Sequence, residues 1–316
     1  MTAGRTCPLS YRYSPREFRT SAESSVDVLY VVGGLYGNLQ ALDAVLDLFA
    51  QEPGRKHLIF NGDFNWFNVS SDRFQRINEV VLSFDAIRGN VETELSQRGN
   101  PAGCTGCGCG YPDWVDETVV ERSNAIMRRL AATAAGFPHL QEQLAALPMW
   151  KRFDVGSLPV GIVHGDAVSL AGWGFAPEHL IQREYSAQAR RWLDESCVRV
   201  FACTHTCSPV LQPLANSDGR LCAIANNGAA GMPNFSNAIH GVLTRIGTSP
   251  HSGIHTLYGT QIEDVHVEAL RIPYDDRCWQ ADFLEQWPQG SPAYASYWNR
   301  IAKGPHYALS QACHRT

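Results

Sequence analysis

Four apolar stretches that each end in glycine and polar residues constrain the fold of this chain more than any other feature. They lie at residues 58–63, 85–90, 160–166 and 198–205. A buried strand with such an end places its last polar side chain at the carboxyl edge of a sheet, where open α/β sheets bind ligands. Together the four ends supply a carboxylate, an amide, two imidazoles and a thiol. This set of groups is typical of a metal site.

The order of the predicted elements favours a parallel sheet. A β-branched strand over residues 26–32 precedes apolar residues at helical spacing from Leu39 to Phe49. The strand at residue 58, a helix near residues 74–84 and the strand at residue 85 follow, and alternation of this kind predicts parallel strands with right-handed crossovers. Residues 118–147 read as helical with a break near residue 136. In the last third, Ser217-Asp218-Gly219 predicts a hairpin and antiparallel pairing.

Composition excludes several classes of function. The net charge is −5, and no run of lysine and arginine is present, which argues against a nucleic-acid surface. No apolar run approaches the roughly 20 residues that span a bilayer, and the start lacks an apolar signal core, so we expect a cytoplasmic protein without a membrane partner. Ten cysteines in such a chain are expected to be free thiols or metal ligands.

These stretches resemble the motifs of the calcineurin-like metallophosphoesterases. That family carries, in order, Asp-x-His, Gly-Asp, Gly-Asn-His-Asp/Glu, a lone His and Gly-His-x-His. The resemblance covers about residues 26–272 and implies an α/β fold, a four-layer α/β/β/α sandwich that holds two metal ions at the strand ends. A Cys-rich loop with a helical cap insertion is expected over about residues 103–150. Residues 1–25 are expected to form an N-terminal arm, and residues 273–316 a C-terminal tail packed on the domain.

The resemblance also implies the metal ligands. Asp63 would bridge both metals, Asn90 would ligate the second metal, and His164 matches the lone His. In Ala202-Cys203-Thr204-His205, the last residue matches a motif histidine and would serve the first metal, whereas Cys203 stands where the other histidine belongs. The second site would then consist of Asp63, Asn90, His164 and Cys203.

Three departures from the family's pattern change the expected chemistry. Gly34 and Tyr36 replace the Asp and His of the opening motif, and Val91 replaces the histidine that assists the leaving group. The first site keeps only Asp63 and His205, so we expect one tightly bound divalent ion, with zinc, iron and manganese left open. A thiolate at Cys203 would favour zinc or another thiophilic ion over manganese or magnesium.

The function implied by the resemblance is hydrolysis of a phosphate ester by a metal-activated water. His205 and Arg88 are the candidates for holding phosphate oxygens, and Asp166 or Glu92 could replace the missing general acid. The expected partner is a small phosphorylated substrate. The alternative is a non-catalytic descendant of the same fold that binds a metal or a phosphorylated ligand.

The loop that contains Cys104, Cys107 and Cys109 leaves further alternatives open. Its thiols could supply the missing ligands of the first site, or join Cys203 and Cys207 in a thiolate site of a redox or metal-handling protein. The loop could equally be a plain turn whose cysteines only pack, because glycines separate them.

Overall fold

The computed structural model describes residues 3–5, 8–97 and 106–314. In this part of the chain, twelve strands form two six-stranded sheets, and ten α-helices accompany them. The strands are β1 (Ser25–Val26), β2 (Val28–Val32), β3 (Lys56–Phe60), β4 (Asp85–Ala86), β5 (Trp150–Val155), β6 (Leu158–Val163), β7 (Val200–Cys203), β8 (Val210–Ala215), β9 (Leu221–Asn226), β10 (Gly241–Gly247), β11 (Thr256–Ile262) and β12 (Val265–Ile272). The helices are α1 (Leu39–Gln51), α2 (Ser71–Val81), α3 (Asn90–Leu95), α4 (Glu117–Ala134), α5 (Pro138–Ala146), α6 (Pro177–Leu180), α7 (Arg183–Ser196), α8 (Asp276–Gln286), α9 (Pro292–Lys303) and α10 (Leu309–Ala312).

One sheet contains the first parallel strands, in the order β11-β12-β10-β2-β3-β4. The strands β2, β3 and β4 run parallel, connected by α1 and α2, as the alternation of strands and helices predicts. Every residue of β2 is buried, which explains why its sequence is a continuous apolar run rather than an alternating one. The strand β11 was not predicted, because its residues are mostly exposed or half-buried and lack a clear apolar period.

The other sheet has the order β1-β5-β6-β7-β9-β8. Here β6, β7 and β9 are parallel, so the carboxyl ends of β6 and β7 lie at one edge. The hairpin predicted at Ser217-Asp218-Gly219 joins β8 and β9 in an antiparallel pair. The prediction of an antiparallel last third holds for this pair and for β10, β12 and β11, although β9 also pairs in parallel with β7.

Both sheets bury one face against the other and the opposite face under helices. Val31 and Ile59 of one sheet meet Val160, Ile162 and Val200 of the other in a shared apolar cluster. A second cluster joins the outer face of the β2 sheet to the helices α1, α2 and α4, and a third joins the outer face of the β7 sheet to α7. This is the predicted four-layer α/β/β/α sandwich.

The insertion after α3 has two parts with different positions. The helices α4 and α5 pack beside α3, and α4 also contacts α9, so both belong to the outer helical layer. Residues 106–111 of the preceding loop contribute to the lining of the largely aromatic cavity described below. Along the flanking segments, Phe18 is fully buried in the cluster under α7, and α8 packs against α1.

Across the described ranges, no helix has both the length and the apolar composition needed to cross a bilayer.

Candidate metal centre

Side chains from three loops and one helix start meet between the carboxyl edges of the two sheets. Asp63 follows β3, His164 follows β6, and His205 lies two residues after β7. One ligand atom of each of these residues lies within 4.8 Å of those of the other two, and all three side chains are buried. Asn90, the first residue of α3, places its Oδ1 3.1 Å from His164 Nε2. The structure therefore brings four of the predicted site residues together.

Backbone carbonyls fix the orientation of both histidine rings. His164 donates a hydrogen bond from Nδ1 to the carbonyl of Asn61 over 2.8 Å. His205 donates from Nε2 to the carbonyl of Cys109 over 2.9 Å. A carbonyl only accepts hydrogen bonds, so the opposite nitrogen of each neutral ring carries a lone pair. These two nitrogens, His164 Nε2 and His205 Nδ1, lie 3.1 Å apart.

The two oxygen donors are oriented in the same manner. Asn90 donates from Nδ2 to the carbonyl of Cys107 over 2.9 Å, so its Oδ1 faces His164. Asp63 Oδ1 accepts from the backbone N–H of Val91 and lies 3.4 Å from His164 Nε2. Partners that hold a ligand from behind are typical of metal sites in proteins.

Four acceptor atoms without protons of their own therefore face one another in a buried space. Such an arrangement is stable only when a positive charge, either a proton or a cation, lies among them. Burial opposes protonation of His164, but the Asp63 carboxylate raises its pKa above the ordinary value. Burial and then the neighbouring His164 lower the pKa of His205 to about 4. The donor set of two imidazoles, one carboxylate and one amide fits a divalent cation such as zinc, iron or manganese.

A cavity of about 180 Å³ opens onto this cluster. Its lining combines the site residues Asp63, Asn90 and His205 with five aromatic rings, namely Tyr36, Trp66, Tyr111, Trp173 and Tyr297. Within the described residues, no lysine or arginine lines the cavity. The space beside the candidate metal centre is therefore small, largely aromatic and without a cationic side chain.

Two solved structures share this arrangement of sheets and helices. A hypothetical protein from Pyrococcus horikoshii superposes with a TM-score of 0.60 at 14% sequence identity, over 88% of this chain and 99% of that chain. A metallophosphoesterase from Sphaerobacter thermophilus superposes with a TM-score of 0.52 at 17% identity, over 89% of this chain and 100% of that chain. The chain has a calcineurin-like metallophosphoesterase fold. No protein-family model matches the sequence, and no curated protein matches it either.

The metallophosphoesterase motifs fit the structure best when the last of them is moved by two residues. Cys203, predicted to be a ligand, packs with Phe201 and Val210 in the apolar cluster under α7, on the far side of its sheet. His205 instead stands beside His164, in the place assigned to Cys203. The Gly-His-x-His motif thus corresponds to Thr204-His205-Thr206-Cys207, and the argument for a thiophilic ion from Cys203 no longer applies.

In this register Tyr36 and Cys207 correspond to the histidines that the family uses for its first metal. The Tyr36 hydroxyl and the Cys207 thiol, which stand for its two histidines, are 2.6 Å apart. A Cβ atom built on Gly34 would lie 2.9 Å from the Tyr36 ring. The ring therefore occupies the space of the missing Asp side chain. Burial raises the pKa of Tyr36, so the phenol stays neutral and is a poor ligand.

Arg88 does not reach the cavity. Its guanidinium donates to the carbonyl of Ala145 at the end of α5 over 3.2 Å. The backbone leaves β4 with this side chain directed toward the helical insertion. The prediction that Arg88 holds phosphate oxygens is not supported by this position.

Asp166 organises its own loop instead of facing the cavity. Its Oδ1 accepts from the backbone N–H groups of Val168 and Ser169, and its Oδ2 accepts from the N–H of Gly174, each over 3.0 Å. The carboxylate has its acceptor sites occupied by donors of the same loop. The position predicted for a general acid is therefore a loop-capping position.

Glu92 supports the metal centre from behind. Its carboxylate accepts hydrogen bonds from the backbone N–H groups of Asp63, Phe64 and Gly89 over 2.7–3.1 Å, and from Asn65 over longer distances. Burial and then the nearby Asp63 raise the pKa of Glu92 to about 7, while the backbone donors oppose this rise. Because both oxygens are occupied, Glu92 holds the loop that presents Asp63 and does not face the cavity as an acid.

We expect Glu92→Gln to lower the free energy of unfolding by about 3 kcal/mol, because an amide NH₂ would then face backbone donors that need an acceptor. Urea denaturation of the metal-free protein measures this change. The matched control is Glu121→Gln on the exposed face of α4, for which a change within about 0.5 kcal/mol is expected. Equal effects of both substitutions would contradict the positioning role of Glu92.

The cysteine loop contributes carbonyl oxygens more clearly than thiolates. The carbonyls of Cys107 and Cys109 hold Asn90 and His205. The Cys109 thiol lines the cavity, where burial raises its pKa and keeps it protonated. Cys104, the third predicted thiolate, lies outside the described residues.

Sequence reasoning missed most of the cavity wall. Trp66 and Trp173 lie farther along the loops that carry Asp63 and His164, outside the motifs themselves, and Tyr111 lies in the cysteine loop. Tyr297 comes from the C-terminal tail. The abundance of Trp and Tyr in that tail was the one sequence signal for Tyr297. Cys207 was considered only as a member of a thiolate cluster.

Proposed function

We propose that the chain hydrolyses a small phosphate ester with one divalent cation held by Asp63, Asn90, His164 and His205. The observation that supports this proposal most is the orientation of four donor atoms toward one buried point, each fixed by backbone partners. The metallophosphoesterase fold supports it independently. The Tyr36 ring at the place of a second metal supports a mononuclear site.

A divalent cation bound there would act as a Lewis acid on a phosphoryl oxygen and lower the pKa of water. The chain's own residues prepare this chemistry. Asp63 offsets one positive charge, and the hydrogen bonds to Asn61 and Cys109 keep the lone pairs of the two histidines directed inward. The aromatic lining limits access of bulk water and strengthens electrostatic interactions inside the cavity.

Among the described residues of the lining, none replaces the family's leaving-group histidine as a general acid, which restricts the substrate. Val91 lines the cavity where the family has its leaving-group histidine, and the carboxylates of Asp166 and Glu92 are occupied elsewhere. Help from a general acid is typically worth about 10²–10⁴-fold in rate. We therefore propose a substrate whose leaving group departs as a stable anion, such as an aryl oxide.

The second candidate function is binding of a metal or phosphorylated ligand without turnover. Two observations favour it. Val91 cannot donate a proton, and Tyr36 fills the position of the other metal. Both candidates use the same ligands, so they differ in turnover and not in metal content.

Metal titration of the stripped protein tests the proposal. With an activated aryl phosphate ester as substrate, we expect turnover to require added zinc, iron or manganese and to level off at one equivalent per chain. Cys203→Ser, at the buried thiol behind the sheet, serves as the control and should keep this dependence. Tight metal binding without turnover would support the second candidate. A plateau at two equivalents would contradict a mononuclear site.

A further inference from the structure

We infer that the cavity beside the metal centre selects a phosphodiester monoanion that carries one flat aromatic group, in preference to a phosphomonoester dianion. This inference rests on the proposed function for the cation, and it adds the class of ligand. Two features of the cavity support the inference, namely its net charge and its aromatic lining.

The first feature is the charge balance of the lining. Asp63 is its one carboxylate among the described residues, and neither lysine nor arginine accompanies it. A divalent cation with the Asp63 carboxylate leaves one net positive charge. A phosphodiester with one negative charge neutralises this, whereas a dianion leaves an unpaired negative charge in a buried space. Unpaired buried charges are strongly unfavourable.

Charges behind the lining do not alter this balance. Arg300 donates from Nη2 to the carbonyl of Cys207 over 2.8 Å and from Nε to that of Pro233 over 2.9 Å, so two of its three nitrogens are engaged with the backbone. On another side, the Glu92 carboxylate lies behind Asp63 and accepts from its N–H group. These two groups carry opposite charges, and neither lines the cavity. Within the part of the chain that the structure describes, no arginine is therefore placed to clamp a phosphate in this cavity.

The second feature is the aromatic wall next to the metal ligands. The Trp173 ring centroid lies 5.6 Å from that of His205 and 6.0 Å from that of Tyr111. Tyr36, Trp66 and Tyr297 complete the wall. Aromatic side chains bind flat rings by stacked or edge-to-face packing. The volume of about 180 Å³ is well below that of pockets for drug-sized ligands, so it suits one small ring system.

Calorimetry with three phosphonates, none of which carries a good leaving group, separates the effect of charge from the effect of the ring. The metal-loaded protein would be titrated with methyl phenylphosphonate, which has one charge and a ring. The same titration would use phenylphosphonate at a pH where it is a dianion, and methyl methylphosphonate, which has one charge and no ring. We expect the first to bind at least about tenfold more tightly than either of the others.

A charge variant provides an independent readout. Thr206 lines the cavity with a partly exposed side chain, so Thr206→Lys would add a cation at this position. We expect this variant to shift the preference toward the dianion, and Thr206→Gln, which loses the same contact with Asn226, to leave the order unchanged. Equal shifts in both variants would overturn the charge argument.

The outcomes for the ligand class and for the proposed function are distinct. Dianion binding that equals or exceeds that of the diester, equal binding of the ringless ligand, or no binding of any of the three would overturn the inference. If the three affinities follow the expected order but no ester is hydrolysed, the proposed phosphoesterase activity is contradicted. The inferred class of ligand is then still supported.

Discussion

Replacement of Asp63 by asparagine is expected to lower the affinity for a divalent cation at least about 100-fold. Asp63 is the one anionic donor of the cluster, and loss of even a supporting partner typically costs about 10–100-fold in metal affinity. Asparagine keeps the size of the side chain and tolerates the positive φ of 56° at this position. The loss should therefore come from charge and not from misfolding. Calorimetric titration with zinc and manganese measures it.

The matched control for Asp63→Asn is Asp166→Asn. Both aspartates are buried and follow a glycine after a strand, but the carboxylate of Asp166 accepts from backbone N–H groups of its own loop. We expect Asp166→Asn to bind the cation as the unaltered protein does, even if its unfolding free energy falls. Metal affinity of Asp63→Asn within about threefold of the unaltered protein would refute the assignment of the ligands.

The triple substitution Gly34→Asp, Tyr36→His and Cys207→His is expected to raise metal binding from one to two equivalents per chain. It would place three further donors beside Asp63, and tetrahedral sites are commonly built from four. Gly34→Asp requires Tyr36→His, because an Asp Cβ at Gly34 would lie 2.9 Å from the present Tyr36 ring, and Cys207→His supplies the fourth donor. Elemental analysis after dialysis, together with native mass spectrometry, counts the ions.

Two partial variants show which substitutions are responsible for binding of the second equivalent of metal. Gly34→Asp alone should lower the melting temperature, because its Cβ would overlap the ring and the backbone there has a φ of +65°. Tyr36→His with Cys207→His should fold and still bind one equivalent, since the carboxylate is missing. If the folded triple variant still binds only one equivalent of metal, the missing first metal site cannot be explained by these three ligand substitutions alone.

The fold was predictable because its determinants are local and repeated. The apolar run of β2 and the apolar spacing of α1 are sufficient to predict a parallel start of the sheet. The stretches that end in Asp63 and Asn90 then place polar groups at the edge of this sheet, and the stretch that contains His164 does so at the edge of the other sheet. Each of these predictions depends on strand direction alone, which the alternation of elements determines.

The last ligand was harder to place because its position depends on where a strand ends. Residues 198–203 are mostly apolar, and cysteines stand two residues before and two residues after His205. Both registers of the motif are compatible with the sequence. The alternation of side chains in β7 decides between them, since Phe201 and Cys203 face α7 together.

The roles of the charged residues near the motifs were not predictable. Asp166 and Glu92 are adjacent to motif residues in the chain, yet backbone N–H groups engage both carboxylates, from its own loop for Asp166 and from the Asp63 loop for Glu92. Arg88 points to the end of α5. Which way such a side chain turns depends on loop hydrogen bonds that sequence spacing does not specify.

The Tyr36 ring over Gly34 also limits the order in which substitutions could add a second metal site. An aspartate at position 34 would crowd the tyrosine ring, and a histidine at position 36 alone would leave the site without its carboxylate. Single substitutions therefore pass through strained or incomplete intermediates. Packing at one glycine is enough to make a second site inaccessible to stepwise mutation.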